Sequence, residues 1–257
     1  MKIGGFKYYT FGLRQEWLWS LLANEKNFFK ESSLGPRQMN AFMYYLKDTE
    51  LLDTDKNLTA LFNCLKTLYF KDGPYSQILW GVMWVNLCFN VPIFKWWSTL
   101  STCDYSMKDL ANKLAPSYGK ENKYLKSGLS SIKETLSKSP IGVVFGQGIP
   151  IKKVKVIKGF KKIGIERLHP VLILYSLYKY AEKKNIYEMD LFALEDELYS
   201  PQRIFTISTV DLERSLLDDP EFSNLYKLSF ERPHFVFLYS SLKPLNILEQ
   251  YIGGLNK

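Results

Sequence analysis

The stretch that decides the fold reads Leu125-Lys126-Ser127-Gly128-Leu129-Ser130-Ser131-Ile132-Lys133-Glu134-Thr135-Leu136-Ser137-Lys138, then Ser139-Pro140, and resumes as Ile151-Lys152-Lys153-Val154-Lys155-Val156-Ile157-Lys158. In its first part Leu125, Leu129, Ile132 and Leu136 recur at i, i+4, i+7 and i+11, one narrow face of a helix from about Asn122 to Lys138. The opposite face carries Lys123, Lys126, Ser127, Ser130, Ser131 and Lys133, side chains suited to phosphate oxygens. Pro140 stops the helix. In the second part, lysine alternates imperfectly with Val and Ile from Lys153 to Lys158. Period-2 alternation sets lysines on one side of a strand and apolar residues on the other. Between the two parts, 141–146 has strand propensity. Upstream, Ser106 is a helix N-cap before Met107, with Leu110, Ala111 and Leu114 inward, and Pro116-Ser117-Tyr118-Gly119 ends that helix. Helix, turn, helix and basic ribbon form a winged-helix-like unit, which offers its second helix to a DNA groove.

Further upstream the pattern recurs more faintly. Pro36 suits the first position of a helix, with Met39, Phe42, Met43 and Leu46 buried and Arg37, Gln38 and Asn40 outward. Leu51-Leu52, a polar turn over 53–57 and Leu58-Thr59 follow. This outlines a first winged helix, or equally an ordinary helix and hairpin packed for structure. Leu13, Trp17, Leu18, Leu21 and Leu22 predict an opening helix. The apolar stretch 78–94 is broken by Asn86, Asn90 and Pro92. It is too short for a membrane span, which takes about 20 apolar residues, and reads as a buried aromatic helix. Downstream, helices are predicted over 170–183, 211–217 and 245–252, with a buried strand over 235–239. The fold class is therefore mainly α with short β wings: two winged-helix-like units plus a C-terminal helical scaffold. The regions are 1–100, winged-helix-like and aromatic; 101–168, winged-helix-like and basic; and 169–257, an α+β scaffold.

Charge singles out the middle region. The 257-residue chain has a formal net charge of +8. Residues 120–167 hold twelve Lys or Arg against three acids, a net of +9, so the rest of the chain is −1. Such a localised excess attracts polyanions, where a solvated surface would intersperse both signs. Aromatics at 16% and hydrophobics at 46% exclude a disordered chain. The start, Met1-Lys2-Ile3-Gly4-Gly5-Phe6, has no apolar run of signal-peptide length, so no secretion signal is expected. Cys64, Cys88 and Cys103, odd in number and without metal-ligand spacing, fit reduced thiols in a cytoplasmic protein.

Catalytic patterns are sparse. Gly146-Gln147-Gly148 lacks the third glycine of a phosphate-cradling loop. No nucleophile elbow is present, and two histidines do not furnish a serine-protease-type triad. His169 before Pro170 predicts a structural cap, and His234 before a strand is read as structural too. Glu195, Asp196 and Glu197 could hold a divalent metal but read first as a solvated acidic face. No cofactor is evident, and a metal is expected only if the protein nicks DNA.

Several segments together resemble a domain family of long-undefined function, encoded beside phosphoadenosine-phosphosulfate-reductase-like genes in DNA phosphorothioation clusters. The family's Phe-x-x-His-Glu-Thr-Phe-x-x-Arg-x-Gly-Trp-Leu pattern is matched here at Thr10, Phe11, Arg14, Trp17 and Leu18, with Tyr8-Tyr9 where the family has His-Glu. Its Gly-x-Gly-Lys-Asn-Met pattern and the helix ending Tyr-Trp correspond to Gly35-Pro36-Arg37-Gln38-Met39 and Tyr44-Tyr45, Arg37 standing for the lysine. Leu58-Thr59-Ala60-Leu61, Pro74-Tyr75, Leu79-Trp80, Trp84, Trp96-Trp97, Ser139-Pro140-Ile141 and Ser200-Pro201 to Phe205 continue the likeness, with Met83 replacing a histidine. The resemblance implies kinship with the SspB-like component of the single-strand phosphorothioation defence system, described as a DNA-nicking component.

The readings that follow are three. The first is a DNA-binding component of a bacterial phosphorothioate modification or defence system, its partner double-stranded DNA. Arg37, Gln38 and Asn40 are then candidates for base contacts. Arg14, Lys123, Lys126, Lys133, Lys152, Lys153, Lys155, Lys158, Lys161 and Lys162 complete the DNA-binding set, mostly against phosphates. The second is a metal-dependent nickase, as the resemblance implies, its catalytic residues unassigned. The third is a non-enzymatic subunit that seats a partner ATPase or sulfurtransferase.

Overall fold

Helices form where apolar spacing places them in the computed structural model, which describes residues 3, 7–119, 124–218, 220–229, 231–232 and 234–254. The first region is α1 Gln15–Ala23, α2 Glu25–Glu31, α3 Pro36–Asp48, α4 Ala60–Asp72, α5 Gln77–Asn90 and α6 Pro92–Ser98. In α3, Pro36 takes the first position as expected, and Ala41, Phe42, Tyr45 and Leu46 are buried. After α3 the turn over 53–57 closes on a single antiparallel bridge, Leu52 to Leu58, before α4 begins. Helix α5 is buried from Ile78 through Phe89 on every side. It meets α6 at a 108° bend, and no single described helix is long and apolar enough to cross a membrane.

The second region is β1 Cys103–Ser106, α7 Met107–Tyr118, α8 Leu125–Lys138, α9 Ile141–Val144, β2 Ile149–Lys153 and β3 Val156–Lys162. Its antiparallel sheet has the order β1-β3-β2. Here a short strand, two helices and a hairpin that returns to pair with the first strand supply the short β wing, while the first region has only the Leu52–Leu58 bridge. Ser106 caps α7 through a full capping box with Asp109.

One local expectation fails here. The 141–146 run is not extended: it turns helically as α9, because Pro140 already has helical angles (φ −60°, ψ −20°). A short apolar run does not distinguish strand from helix by periodicity. Helix α7 ends within Pro116-Ser117-Tyr118-Gly119, as the sequence predicts: Pro116 lies in its last turn, and Gly119, at φ +56°, closes it after Tyr118.

The third region is α10 Pro170–Lys184, β4 Glu188–Asp190, α11 Pro201–Phe205, α12 Thr209–Leu217, β5 Tyr226–Leu228, β6 Phe235–Leu238 and α13 Pro244–Gly254. Its sheet has the order β4-β6-β5. His169 caps α10 with its ring nitrogen Nδ1 accepting from the Val171 N–H at 3.2 Å, the structural role read from its place before Pro170.

One hydrophobic cluster spans all three regions. Polar ties cross it at named points. Asn86 donates to the Thr49 carbonyl at 2.8 Å and accepts from the Tyr175 hydroxyl at 3.0 Å, joining α5 to α3 and α10. Trp84 donates to the Ile204 carbonyl, and Trp97 to that of Gln147. The indole N–H groups of Trp84 and Trp97 thus find acceptors, as burial requires.

Candidate nucleic-acid interface

Helix α8 is held against the first region along one face. The Tyr45 hydroxyl meets Ser131 Oγ at 2.5 Å, and the Leu13 N–H donates to Thr135 Oγ1 at 2.9 Å. Gly12 passes so close that a β-carbon there would stand 2.3 Å from the Thr135 nitrogen and 2.6 Å from the Ser131 carbonyl oxygen. Glycine is required at this crossing because any side chain would meet backbone. Ser131 is therefore buried, not on the outer face where its position opposite the leucines would place it. At about 100° per residue, the arc left open holds Lys126, Ser130, Lys133 and Ser137. Lys126 is exposed and the other three half-buried. Lys123 lies outside the described residues.

The edge of that arc is neutralised. Arg14 pairs with Glu134 across the junction of the first region and α8. Its guanidinium already has a partner within the protein. In the first turn of α3, Gln38 Oε1 accepts the Gly35 N–H at 3.1 Å and caps the helix, while Asn40 donates to the Tyr9 hydroxyl at 3.2 Å. Of the three candidate base readers, Arg37 is exposed and Asn40 and Gln38 already have partners within the chain.

The wing is a hairpin, not one alternating strand. A two-residue turn, Val154-Lys155, splits the lysine-rich run between β2 and β3. Register then decides the faces. Lys152 is opposite Ile157 and Ile149 opposite Lys161, while Lys153 is opposite Val156. The register shifts between Ile151 and Lys152, which leaves Lys158 as the extra, unpaired residue of β3. Counted along β2, where neighbours alternate, Lys152 lies on one side and Lys153 on the other, and Lys153 shares the side of the Ile149–Lys161 pair. The lysines flank the hairpin on both sides, where the sequence predicted one. Lys152, Lys153, Lys155, Lys158 and Lys161 are all exposed, and none forms an ion pair with a described carboxylate. No acid occurs from 149 to 162; Asp104 of β1 stands opposite Lys161 in register.

Lys162 does not belong to this surface. It is 1% exposed, and its ammonium donates to the carbonyls of Trp97, Ser98 and Leu100 at 3.0, 3.2 and 2.7 Å. These lie at the end of α6, where a cation complements the helix dipole. Burial pulls its pKa down to about 7. It is a structural cap on α6, because its place in β3 alternates it inward beside Phe160.

The turn contains a feature the charge pattern did not flag. Val154 is 90% exposed and Val156 53% exposed. Val154 also has φ +58°. A two-residue hairpin turn demands positive φ at its first central position, where glycine or asparagine is usual. A β-branched residue there costs about 1 kcal/mol or more. The missed signal was the valine itself, set where the turn favours glycine.

The acidic run offers no metal cage. Glu195 accepts from Thr209 Oγ1 at 2.6 Å, Asp196 pairs with Arg203, and Glu197 accepts from Lys184 at 3.0 Å. Glu195, Asp196 and Arg203 line an open cleft of about 360 Å³ with Ser98 and Ser208. Among the described residues no three His, Cys, Asp or Glu side chains converge as ligands.

Taken together, these features define a mainly helical protein with short β wings, one of them a basic hairpin whose lysines form no ion pair with a described acid. No family model matches the sequence, and no curated protein matches it significantly. Two solved structures share its fold. A magnesium-bound crystal structure of SspB superposes with a TM-score of 0.69 at 15% identity, over 97% of this chain and 86% of that one. A second SspB crystal structure gives 0.67 at 14% identity over the same shares. The fold implied by the sequence resemblance is thus found across almost the whole chain.

Proposed function

We propose that this protein is a DNA-binding component of a bacterial DNA phosphorothioate modification or defence system. The fold shared with SspB supports association with that kind of system. The observation that supports DNA as the ligand is the wing: five exposed lysines, no carboxylate within the hairpin, and no ion pair to a described acid. Phosphates would be bound by Lys152, Lys153, Lys155 and Lys158 with Lys126 and Lys133 of α8, and counterion release would make affinity steeply salt-dependent. The test is electrophoretic mobility shift with duplex DNA at two salt concentrations. Changing Lys152, Lys153 and Lys155 to Glu should abolish the shift at the higher salt. Undiminished binding by that variant would overturn the reading.

The magnesium ion in one of the two similar structures favours a second reading, a metal-dependent nickase. Supercoiled plasmid incubated with the protein and magnesium or manganese decides it. Relaxed circle above the level of a heat-inactivated preparation supports nicking, and none removes it.

A further inference from the structure

We propose that Val154, at the tip of the β2–β3 hairpin, is a wedge that enters the DNA minor groove and partly unstacks a base step. The proposal rests on the DNA-binding reading and assigns the wing a deformation role within it. Three independent observations meet at one point. Val154 is 90% exposed, more than any other large hydrophobic residue described. It sits at φ +58°, where the turn itself favours glycine. Lysines surround it in sequence and register: Lys152 and Lys153 precede it on opposite sides of β2, Lys155 follows it, and Lys158 stands unpaired at the register shift of β3.

The chemistry selects the occupant. An apolar partner protein would be repelled by this density of uncompensated ammonium groups, since burying them unpaired is costly. A duplex supplies what both parts require. Phosphates on the two sides of a groove meet lysines on the two sides of the hairpin, and the apolar faces of bases meet the valine. Minor-groove proteins kink DNA by inserting apolar side chains between base steps while cationic side chains bind the groove. Flexible pyrimidine–purine steps should be preferred, because they unstack at least cost.

The experiment uses the full chain and a duplex with 2-aminopurine at a central TA step, labelled at its ends for energy transfer. Bound wild type should raise the 2-aminopurine emission and shorten the end-to-end distance. Val154→Asn suits the turn's positive φ and removes the apolar wedge. It should bind about tenfold more weakly, with the emission rise lost and the salt slope unchanged. Val154→Met should keep the emission rise. Thermal melting of Val154→Asn at or above the wild-type temperature shows that the hairpin is intact. Equal emission and bending for wild type and Val154→Asn would overturn the wedge while leaving DNA binding in place. Failure of wild type to bind any duplex would overturn the DNA-binding reading itself. Binding of wild type to vesicles containing anionic phospholipid, reduced by Val154→Asn with no effect of that change on DNA, would reassign the tip to a lipid surface.

Discussion

Arg14 lays its guanidinium across Glu134 so that Nη2 stands 2.8 Å from each carboxylate oxygen. The pair ties the entrance of α1 to the middle of α8, and the same carboxylate accepts the Gly12 N–H at 3.1 Å. It places the one acid of α8 at the rim of the lysine arc, where it would repel phosphate.

Glu134→Gln should therefore strengthen DNA binding. It removes a negative charge and frees Arg14 for a phosphate. Affinity at low salt should rise about threefold or more, and the salt slope should steepen by about one. A titration by fluorescence anisotropy at several salt concentrations measures both. Unchanged affinity would place the α8 arc away from the DNA.

Phosphate contacts and base contacts separate by their signatures. Lys126→Ala and Lys133→Ala should each lower the salt slope by about 0.9 and weaken all sequences alike. Arg37→Ala should relax sequence preference, at a cost of about 1–3 kcal/mol on the preferred site. Selection of binding sites from a random-sequence pool, with wild type and Arg37→Ala, tests the second half. Identical consensus sequences would remove Arg37 as a reader.

Gly12→Ala should destabilise the whole protein by about 1–3 kcal/mol, because the methyl group meets backbone at the Thr135 nitrogen and the Ser131 carbonyl. Urea unfolding measures it. The Leu13 to Thr135 hydrogen bond should loosen too, visible as faster exchange of the Leu13 amide. A stability equal to wild type would mean the crossing is wider than described.

Stability should depend on pH through Lys162. Burial lowers its pKa from 10.5 to about 7. Between those values the unfolded chain holds a proton that the folded chain has released, so stability rises with pH across that window. Lys162→Met should lack the rise. Unfolding free energies of both proteins at pH 7 and pH 8.5 give the difference. The Cys88 thiol, pushed up by burial and partly drawn back by Lys162, acts in the opposite direction only from about pH 9, above the compared window. A difference that stays constant from pH 7 to pH 8.5 would refute the assignment.

Much of this protein was legible in its sequence. The i, i+4, i+7, i+11 spacing from Leu125 to Leu136 was enough for α8, Pro36 for the start of α3, and Ser106 for the start of α7. Their physics is local: side-chain period, a fixed proline φ, a hydroxyl that satisfies an N–H. The clustering of lysine between 120 and 167 was equally plain, because net charge is a sum over sequence. What tertiary structure decided was the fate of individual cations. Lys161 and Lys162 are neighbours, yet one faces solvent and the other caps α6. Arg14 and Glu134 are 120 positions apart and cancel. Val154-Lys155 becomes a turn because β3 must come back to pair with both β2 and β1. Charge can be counted along the chain, but whether a charge is exposed, paired or buried depends on partners that only the folded chain brings within reach.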